Sequence, residues 1–278
     1  MSTQPNPEAQ QQVITALKSR PSIDPVEEIN RRVTFLREHM EASGQHTLVL
    51  GISGGVDSSV GGRLAQKAVE AARKQGMDDA RFVAMRLPYG EQQDEADAQM
   101  ALEFIGPDEV LTVDVKPASD AMLNALEQGG LEFRDAGHRD FVMGNIKARQ
   151  RMVAQYAVAG ARSGLVIGTD QAAEALMGFF TKYGDGACDL TPLTGLNKRQ
   201  VRALARALEA PARLVEKHPT ADLETLTPGK TDEDAFGIRY DEIDDFLEGK
   251  PVSDNTRAVI LKAYKNTEHK RNLPLEPL

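Results

Sequence analysis

The sequence predicts an α/β protein with a twisted parallel sheet, helices on both faces of the sheet, and extra helices at the N- and C-terminal ends. Three observations support this prediction. Four short apolar stretches, typical of buried strands, lie at residues 48–52, 81–87, 109–115 and 165–169. Segments with helical spacing alternate with them, which indicates a parallel sheet with right-handed crossovers. Turn residues follow the carboxyl ends of these stretches, the edge at which such sheets bind ligands.

The N-terminal part starts with residues 1–6, which we expect to be disordered, and continues with a helix over residues 7–18. A second helix begins at Asp24. Residues 24–27 (DPVE) combine an N-cap aspartate, a proline in the first turn and a glutamate at the third helical position. Gly44 is a favourable residue for its end. The sequence therefore predicts a helix over residues 24–43.

Further helices are predicted over residues 57–75, 94–105, 117–128, 140–163, 197–209, 240–247 and 253–265. In the 140–163 helix, the candidate core positions are Phe141, Ile146, Met152, Val153 and Tyr156. Residues 218–234 are rich in charged residues and contain two prolines and a glycine. This composition is typical of an inert linker and equally of a mobile lid over a reactive intermediate.

The composition limits the classes of function. The 278 residues carry a formal net charge of −9, with a pI of about 5.2, which argues against nucleic acid and anionic membranes as partners. A single cysteine, Cys188, excludes an intrachain disulfide and gives no indication of a zinc site. The polar N-terminus has no apolar signal core, and no apolar run reaches about 18 residues. We expect one cytoplasmic domain over residues 1–278.

Residues 48–59 (LVLGISGGVDSS) form the most informative stretch. A strand, a glycine turn and a helix start together expose backbone N–H groups that can bind an anion. Ser53, Ser58 and Ser59 add hydroxyl donors. Asp57 would repel phosphates unless a cation such as Mg²⁺ lay between them. The stretch lacks the Gly-Lys-Ser/Thr of a Walker A loop and the spacing of a dinucleotide fingerprint.

Polar side chains elsewhere extend this candidate site. Thr169 lies at the end of the fourth strand, and Glu174 follows early in the next helix. Glu174 either stabilises that helix N-terminus or shares a metal with Asp57. On the 140–163 helix, we expect Lys147 to face solvent and Arg149 to be the better anion ligand.

Two more segments combine charge with unusual local composition. Residues 178–186 place two phenylalanines and Lys182 among three glycines, which suits a flat ring and a negative group. Lys198 lies at a helix start, where it either faces solvent or adds positive potential to the site. Residues 269–271 (HKR) alone would be interpreted as a basic tail.

The sequence resembles the ammonia-dependent NAD⁺ synthetases, a branch of the N-type ATP pyrophosphatases with the SGGxDS loop. The matching blocks are GISGGVDSS (51–59), RLPYGEQ (86–92), GNIKAR (144–149), GTDQAAEALMGFFTKYGDG (168–186), LNKRQ (196–200), PTADLE (219–224), YDEIDDFLEG (240–249) and TEHKR (267–271). The resemblance implies an adenine nucleotide alpha hydrolase-like, Rossmann-like fold. It also implies ATP-dependent amidation of deamido-NAD⁺ by ammonia, through an adenylate, to give NAD⁺, AMP and pyrophosphate.

The resemblance also implies roles for individual residues. The pyrophosphate loop would be Gly51, Ile52, Ser53, Gly54, Gly55, Val56, Asp57 and Ser58. Further ATP contacts would be Arg86, Gln92, Thr169, Lys198 and Thr220. Contacts to deamido-NAD⁺ would be Arg149, Lys182, Asp189, His269 and Lys270. Asp57 and Glu174 would bind Mg²⁺, and the catalytic set would be Asp57, Ser53, Ser58 and Lys198.

Family members are homodimers with the dinucleotide at the subunit interface, so helices 140–163 and 24–43 are the interface candidates. Only about 50 residues precede the phosphate loop, too few for a glutaminase domain. We therefore expect Cys188 to be a packing residue and ammonia to arrive free or from a separate protein. Two alternatives remain open. One is another SGGxDS enzyme, such as a tRNA thiolase or a GMP synthetase-like amidotransferase, and the other is a nucleotide-binding sensor without catalysis.

Overall fold

The structure, a computed structural model, describes residues 7–90, 95–218, 226, 231–272 and 274–277. Its sheet is built from β1 (Thr47–Gly51), β2 (Arg81–Arg86), β3 (Glu109–Thr112) and β4 (Gly164–Val166). Within the described residues the strand order is β3-β2-β1-β4, and each neighbouring pair is parallel. The predicted parallel sheet is confirmed, although β2, β3 and β4 are shorter than the apolar stretches that indicated them and β1 begins one residue earlier than its stretch.

The helices of the described residues alternate with these strands and then dominate the C-terminal part. They are α1 (Pro7–Ala16), α2 (Pro25–Ser43), α3 (Val56–Lys74), α4 (Glu95–Ile105), α5 (Lys116–Gln128), α6 (Ala136–Ala161), α7 (Ala172–Met177), α8 (Lys198–Ala207), α9 (Ala212–Glu216), α10 (Asp232–Phe236), α11 (Tyr240–Leu247), α12 (Asp254–Asn266) and α13 (Glu268–Arg271). The predicted segments 1–6 and most of 218–234 lie outside the described residues.

Local signals explain where α2 and α6 begin. The Asp24 carboxylate accepts hydrogen bonds from the N–H groups of Val26 and Glu27, both at 2.9 Å, as the N-cap prediction requires. Gly44 ends α2 with φ of 67°. Helix α6 starts four residues earlier than predicted, at Ala136 instead of residue 140, because Asp135 caps it through the N–H of His138 at 2.7 Å.

Both faces of the two central strands, β1 and β2, are buried, which explains their continuous apolar stretches in the sequence. Successive side chains of a strand point to opposite faces. Leu48 and Leu50 therefore pack with α2, α3 and α8 in one hydrophobic cluster, and Val49 packs with the α6 side in another. A separate cluster joins α1, α7, α11 and α12 around Phe246.

In helix α6, some side chains predicted to be buried are exposed, and one predicted to be exposed is buried. Phe141 and Val153, which its apolar pattern assigned to the core, are 56% and 53% exposed, whereas Ile146 is buried. Lys147 is buried instead of facing solvent, and its Nζ lies 4.2 Å from the centre of the Tyr89 ring. The helix thus keeps two large apolar side chains on the surface. None of the described helices is long and apolar enough to span a bilayer.

The strand order places a crevice at the carboxyl edge of the sheet. The chain adds β2 and β3 on one side of β1 and then returns to add β4 on the other side. Helix α3, which follows β1, and helix α6, which precedes β4, lie on opposite faces of the sheet. Ligands of open α/β sheets bind at such a reversal.

Candidate active site

A cavity of about 500 Å³ lies at this reversal, above the ends of β1 and β4. Its walls come from the loop after β1, the loop after β4, the middle of α6, residues 178–185, and side chains near α8, α9 and α10. Several predicted site residues line it together: Gly51, Ile52, Ser53, Gly55, Val56, Asp57, Ser58, Thr169, Glu174, Lys198 and Lys270. The fold thus brings residues from four distant parts of the chain into one space.

The loop after β1 has the shape of an anion-binding turn. Gly54 has φ of 80°, and a Cβ there would lie 2.9 Å from the backbone nitrogen of Ala98 in α4. Glycine is needed for both reasons. The hydroxyls of Ser53 and Ser58 lie 3.1 Å apart, and the N–H of Gly55 donates to Ser53 Oγ at 3.3 Å. Hydroxyl and backbone donors therefore converge within one turn.

Asp57 and Lys198 form an ion pair beside this loop. Lys198 Nζ lies 2.5 Å from Asp57 Oδ2, and the two side chains are 2% and 15% exposed. Burial alone would lower the pKa of Lys198, but the charges of Asp57 and Glu174 outweigh it and raise that pKa. The other carboxylate oxygen, Asp57 Oδ1, is buried without a hydrogen-bond partner. Asp57 thus retains an unused, water-excluded acceptor at the cavity wall.

Helix α11 holds Lys198 in place. The buried carboxylate of Asp244 accepts hydrogen bonds from the backbone N–H groups of Lys198 at 3.1 Å and Arg199 at 2.8 Å. The ring of Tyr240 lies 5.2 Å from Lys198 Nζ. These contacts assign a structural task to the conspicuous block at residues 240–249. That block supports the start of α8 and so fixes the lysine that faces Asp57.

Glu174 contributes a second carboxylate to the same wall. Its Oε2 accepts the N–H of Gln171 at 3.4 Å, which completes a capping box at the start of α7. Burial and the nearby charge of Asp57 raise the pKa of Glu174 well above its usual range, although Lys198 opposes this shift. Asp170 behaves similarly, and burial raises its pKa to about 8. Several carboxyl groups thus lie close together with one buried cation among them.

Asp57 and Glu174 fit a divalent cation. Asp57 Oδ1 has no hydrogen-bond partner, and the two desolvated carboxylates share a single buried ammonium, that of Lys198. Oxygen donors of this kind suit Mg²⁺, which usually takes only one or two carboxylates and completes its shell with phosphate and water. The described residues contain no cluster of three or more potential metal-binding side chains. The donor set is therefore that of an ion carried by a polyphosphate.

Most of the residues expected to contact the dinucleotide lie in one hydrogen-bonded network. Lys270 Nζ donates to the carbonyls of Gly178 and Phe180, both at 2.8 Å. Lys182 Nζ donates to the carbonyl of His269 at 2.5 Å, and the Arg149 guanidinium donates to the carbonyl of Lys182 at 3.2 Å. Among these residues, Lys270 lines the cavity. Helix α13, the predicted basic tail, is thus joined to the loop at 178–186.

Asp189 and Arg86 lie apart from the cavity lining. The Asp189 carboxylate accepts the N–H of Val166 at 2.7 Å and the hydroxyl of Tyr156 at 3.2 Å. Arg86 is buried beneath the phosphate loop, where it donates to the carbonyl of Ile52 at 2.9 Å and to Glu95 at 2.6 Å. Arg86 thus supports the loop from behind. The predicted contacts of Asp189 with deamido-NAD⁺ and of Arg86 with ATP stay predictions. Two further predicted ATP contacts, Gln92 and Thr220, lie outside the described residues.

Sequence reasoning missed several residues of the cavity wall. Gln155 of α6 accepts the N–H of Gly51 at 2.8 Å, and Arg151 Nε donates to the carbonyl of Leu87 at 3.0 Å. Asn145 and Asp185 lie in two sequence blocks that were assigned to the site, residues 144–149 and 178–186. Neither residue was itself predicted to contact a ligand. Gln155 lies in no such block, and nothing local in the sequence marked it.

Cys188 has the surroundings of a packing residue. A Cβ on Gly168 would lie 2.4 Å from its sulfur, so glycine makes room for the thiol. Burial, followed by the charges of Asp170 and Asp189, raises the pKa of the Cys188 thiol to about 12. Because the thiolate is the reactive form, such a thiol is inert near neutral pH. The packing role predicted for Cys188 agrees with these observations.

The fold and the cavity together define a class of protein. This is an α/β protein whose phosphate loop, buried lysine and paired carboxylates meet at the carboxyl edge of a parallel sheet, the equipment of an enzyme that acts on a nucleotide polyphosphate.

Comparisons with known proteins then define the family. A family model described as NAD synthase matches residues 28–274. The NH(3)-dependent NAD(+) synthetase of Streptomyces coelicolor is 62% identical over 268 residues, 96% of this chain and 97% of the relative. The chain belongs to the NAD synthase family, which confirms the resemblance predicted from the sequence blocks.

Solved structures agree in fold. A crystal structure of NAD⁺ synthetase from Burkholderia pseudomallei matches with a TM-score of 0.84 and 56% identity, covering 98% of this chain and 99% of that one. An NMN synthetase from Francisella tularensis matches with a TM-score of 0.80 and 36% identity, covering 92% and 99%. Synthetases named for two different products, NAD⁺ and NMN, therefore occur among relatives with this architecture.

Proposed function

We propose that this chain makes NAD⁺ from deamido-NAD⁺, ammonia and ATP, releasing AMP and pyrophosphate, and that the cavity between β1 and β4 is its active site. The activity itself is that of the family. One observation carries the assignment to this cavity. The same space is lined by the phosphate loop and by Lys270 with residues 178–181, so a nucleotide triphosphate and a second ligand can meet there.

The chemistry explains why ATP is needed. The nicotinate carboxylate is a poor electrophile, because ammonia would have to displace oxide. In the first step a carboxylate oxygen attacks the α-phosphorus of ATP, and the bond from that phosphorus to pyrophosphate breaks. In the second step ammonia attacks the acyl carbon, the carbon–oxygen bond breaks, AMP leaves with that oxygen, and the nitrogen loses a proton. Neither step requires a covalent bond to the protein.

The protein's task is to stabilise the charge that develops on pyrophosphate. Backbone N–H groups of the turn at residues 53–58 and the hydroxyls of Ser53 and Ser58 would bind its oxygens, and Lys198 would add a positive charge. Asp57 and Glu174 would hold Mg²⁺, which when bound neutralises phosphate charge. Thr169 would position ATP, and Arg86, Gln92 and Thr220 remain proposed ATP contacts.

We extend the proposal to a homodimer that completes the dinucleotide site. Arg149, Lys182, Asp189 and His269 do not line the described cavity, so contacts from them need a ligand that reaches past its rim. Helix α6 forms one wall of the cavity and also exposes Phe141. A partner subunit against α6 would cover this apolar surface and enclose the second ligand. Helix α2 is a weaker candidate, because Val26 is its one large exposed apolar side chain among the described residues.

A second substrate is worth testing, since a relative with 36% identity over 92% of this chain is named an NMN synthetase. That activity would amidate nicotinate mononucleotide, which lacks the AMP half of deamido-NAD⁺. The relative with 62% identity is named for NAD⁺, which favours the dinucleotide. The two substrates share the nicotinate carboxylate and differ in how much of the site they fill.

The experiment is a competition. The protein is incubated with ATP, Mg²⁺, ammonium and equal amounts of deamido-NAD⁺ and nicotinate mononucleotide, and the products are separated by chromatography. We expect NAD⁺ with equimolar AMP and pyrophosphate. Formation of ADP, or of NMN in preference to NAD⁺, would contradict the proposal. A cytoplasmic location and a single unit over residues 1–278 stay predictions.

A further inference from the structure

The carboxylate of Asp97, in the first turn of α4, pairs with two cations near α9. Arg213 Nε lies 2.6 Å from Asp97 Oδ1, and Lys217 Nζ lies 3.0 Å from Asp97 Oδ2. The carboxylate is only 12% exposed. Burial would raise the pKa of Asp97, but its hydrogen bonds and ion pairs with Lys217 and Arg213 hold that pKa below its usual value. Two positive charges therefore face one negative charge at this point.

Arg213 and Lys217 differ in their exposure to solvent and in their position relative to the cavity. Arg213 is 63% exposed and is not part of the cavity lining. Lys217 is 19% exposed and lines the cavity beside His218. Lys217 is therefore the cation of this pair that a ligand in the cavity can reach.

Asp97, the carboxylate partner of Lys217, packs against the phosphate loop. Lys217 therefore lies close to that loop. The backbone of Asp97 and Ala98 forms the surface on which Gly54 rests, and a Cβ on Gly54 would lie 3.0 Å from the carbonyl carbon of Asp97. The residue that anchors Lys217 is thus the one that packs against the glycine turn. Lysine is a flexible point charge with three donors and binds phosphate well.

We propose that Lys217 is a further polyphosphate-binding residue, whose ammonium contacts the pyrophosphate part of ATP while Asp97 holds it beside Gly54. This inference rests on the proposed function, because it assumes that ATP binds in this cavity. It adds a cation to a cavity wall that already includes Lys198. Departing pyrophosphate would then be held by both ammonium groups.

The test compares Lys217→Met with Arg213→Met, a matched control that removes the other cation of the same carboxylate. Calorimetry measures binding of MgATP, of Mg-pyrophosphate and of deamido-NAD⁺. We expect Lys217→Met to weaken both phosphate ligands by about tenfold to a hundredfold, the size of one charge-assisted hydrogen bond. Arg213→Met should change them by less than about threefold. Lys217→Arg, which keeps the charge, should retain most of the affinity.

Equal losses in the two methionine variants, or none in Lys217→Met, would overturn the inference and leave a purely structural ion pair. If Lys217→Met does not fold, as judged by thermal unfolding, Lys217→Gln replaces it. The binding assay is independent of catalysis. A wild-type protein that binds pyrophosphate through Lys217 but forms no NAD⁺ would contradict the proposed function alone. Normal NAD⁺ formation with unchanged pyrophosphate binding in Lys217→Met would contradict this inference alone.

Discussion

The two carboxylate oxygens of Asp57 have different surroundings. Its Oδ2 is paired with the buried ammonium of Lys198 at 2.5 Å, whereas its buried Oδ1 has no partner. Leaving a buried charged oxygen without a hydrogen bond is costly. Such an atom at the wall of a cavity is therefore expected to serve a ligand, and a phosphate-bound Mg²⁺ is the ligand that the neighbouring loop favours.

Substitution Asp57→Asn tests this role. We expect turnover to fall on the order of 10²–10³-fold, because stabilisation of the leaving pyrophosphate is lost. Affinity for deamido-NAD⁺ should stay within about threefold of wild type, since Asp57 faces the phosphate side of the cavity. The variant should also be less stable, by at most about 3–5 kcal/mol, because the buried ammonium of Lys198 loses its ion-pair partner and keeps only the more distant charge of Glu174.

Glu70→Gln on the same helix provides the control, because Glu70 lies outside the cavity lining and pairs loosely with Arg63 at 3.8 Å. It should leave turnover unchanged. Steady-state kinetics and calorimetry on both variants give the comparison. Parallel losses of turnover and dinucleotide affinity in Asp57→Asn would be incompatible with the metal-binding role.

Individual site residues were predictable where their chemistry is local. Thr169 lies just after a strand, and Asp57 and Glu174 lie in the first turn of the helix that comes next. The sequence alone therefore places them at the ligand edge. Lys217 and Gln155 could not be found this way. Lys217 acquires its meaning only from Asp97, more than one hundred residues earlier in the chain, and Gln155 from its bond to the end of β1. Such pairings arise from tertiary packing and leave no mark in the local sequence.

At the scale of secondary structure, the phosphate loop depends on its support by α4. Gly54 combines a positive φ with close backbone contact to Ala98. Arg86 clamps the carbonyl of Ile52 and the side chain of Glu95 together. The loop and the first turn of α4 thus support each other. A substitution that disrupts their contact should weaken phosphate binding.

A comparison of Gly54→Ala with Gly76→Ala separates the effect of backbone strain at positive φ from the effect of the contact between Gly54 and Ala98. Both glycines have positive φ, 80° and 97°, but a Cβ on Gly76 would meet nothing within 4 Å. Gly76→Ala should cost only about 1–2 kcal/mol of stability, with normal MgATP binding. Gly54→Ala should in addition weaken MgATP binding at least about tenfold, because the loop must move away from Ala98. Unchanged MgATP affinity in Gly54→Ala, measured by calorimetry, would refute the proposed coupling between loop and helix.

Elements with clear end signals could be predicted well, and short ones could not. Helix α2 has Asp24 and Gly44 at its ends, and both act as expected. Helices α9 and α10 have five residues each, too few for a periodic pattern to emerge. Phe141 and Val153 were assigned to the core because apolar spacing cannot distinguish burial within a chain from burial between subunits.

At the scale of the whole molecule, the proposed homodimer rests on the exposed apolar side chains of α6. Val153→Asp should convert a dimer into monomers, since an unpaired carboxylate in an apolar interface is strongly unfavourable. Val26→Asp on α2, where the valine is 60% exposed, is the matched control and should leave the dimer intact. Sedimentation velocity distinguishes the species. Dissociation by Val26→Asp alone, or a monomeric wild-type protein, would contradict the proposed interface.

The carboxyl groups around the cavity should make the ligand-free protein pH-sensitive. Burial is the main factor that raises the pKa values of Asp170, Glu174, Asp185 and Asp232. A carboxyl group whose pKa is higher in the folded than in the unfolded state binds more protons in the folded state. Stability therefore falls as pH rises between about 4 and 8. The carboxyl groups with lowered pKa act below this range and do not cancel the effect.

Thermal unfolding of the ligand-free protein between pH 5.5 and 8.5 (about one unit per step) checks this expectation. The Tm of the wild-type protein should fall across the range. Asp170→Asn removes the group whose pKa is raised to about 8. Its Tm should depend less on pH and lie higher at the alkaline end, by about 2–4 °C for each kcal/mol. A wild-type Tm that is constant or rises with pH would count against the buried acidic cluster.

The central claim is that a carboxylate oxygen of deamido-NAD⁺ attacks the α-phosphorus of ATP in this cavity. Labelling both carboxylate oxygens of the substrate with ¹⁸O tests it most directly, with mass spectrometry of the products after one complete reaction. The account predicts one labelled oxygen in AMP and the other in the amide of NAD⁺. Unlabelled AMP, or label in inorganic phosphate together with ADP, would contradict it.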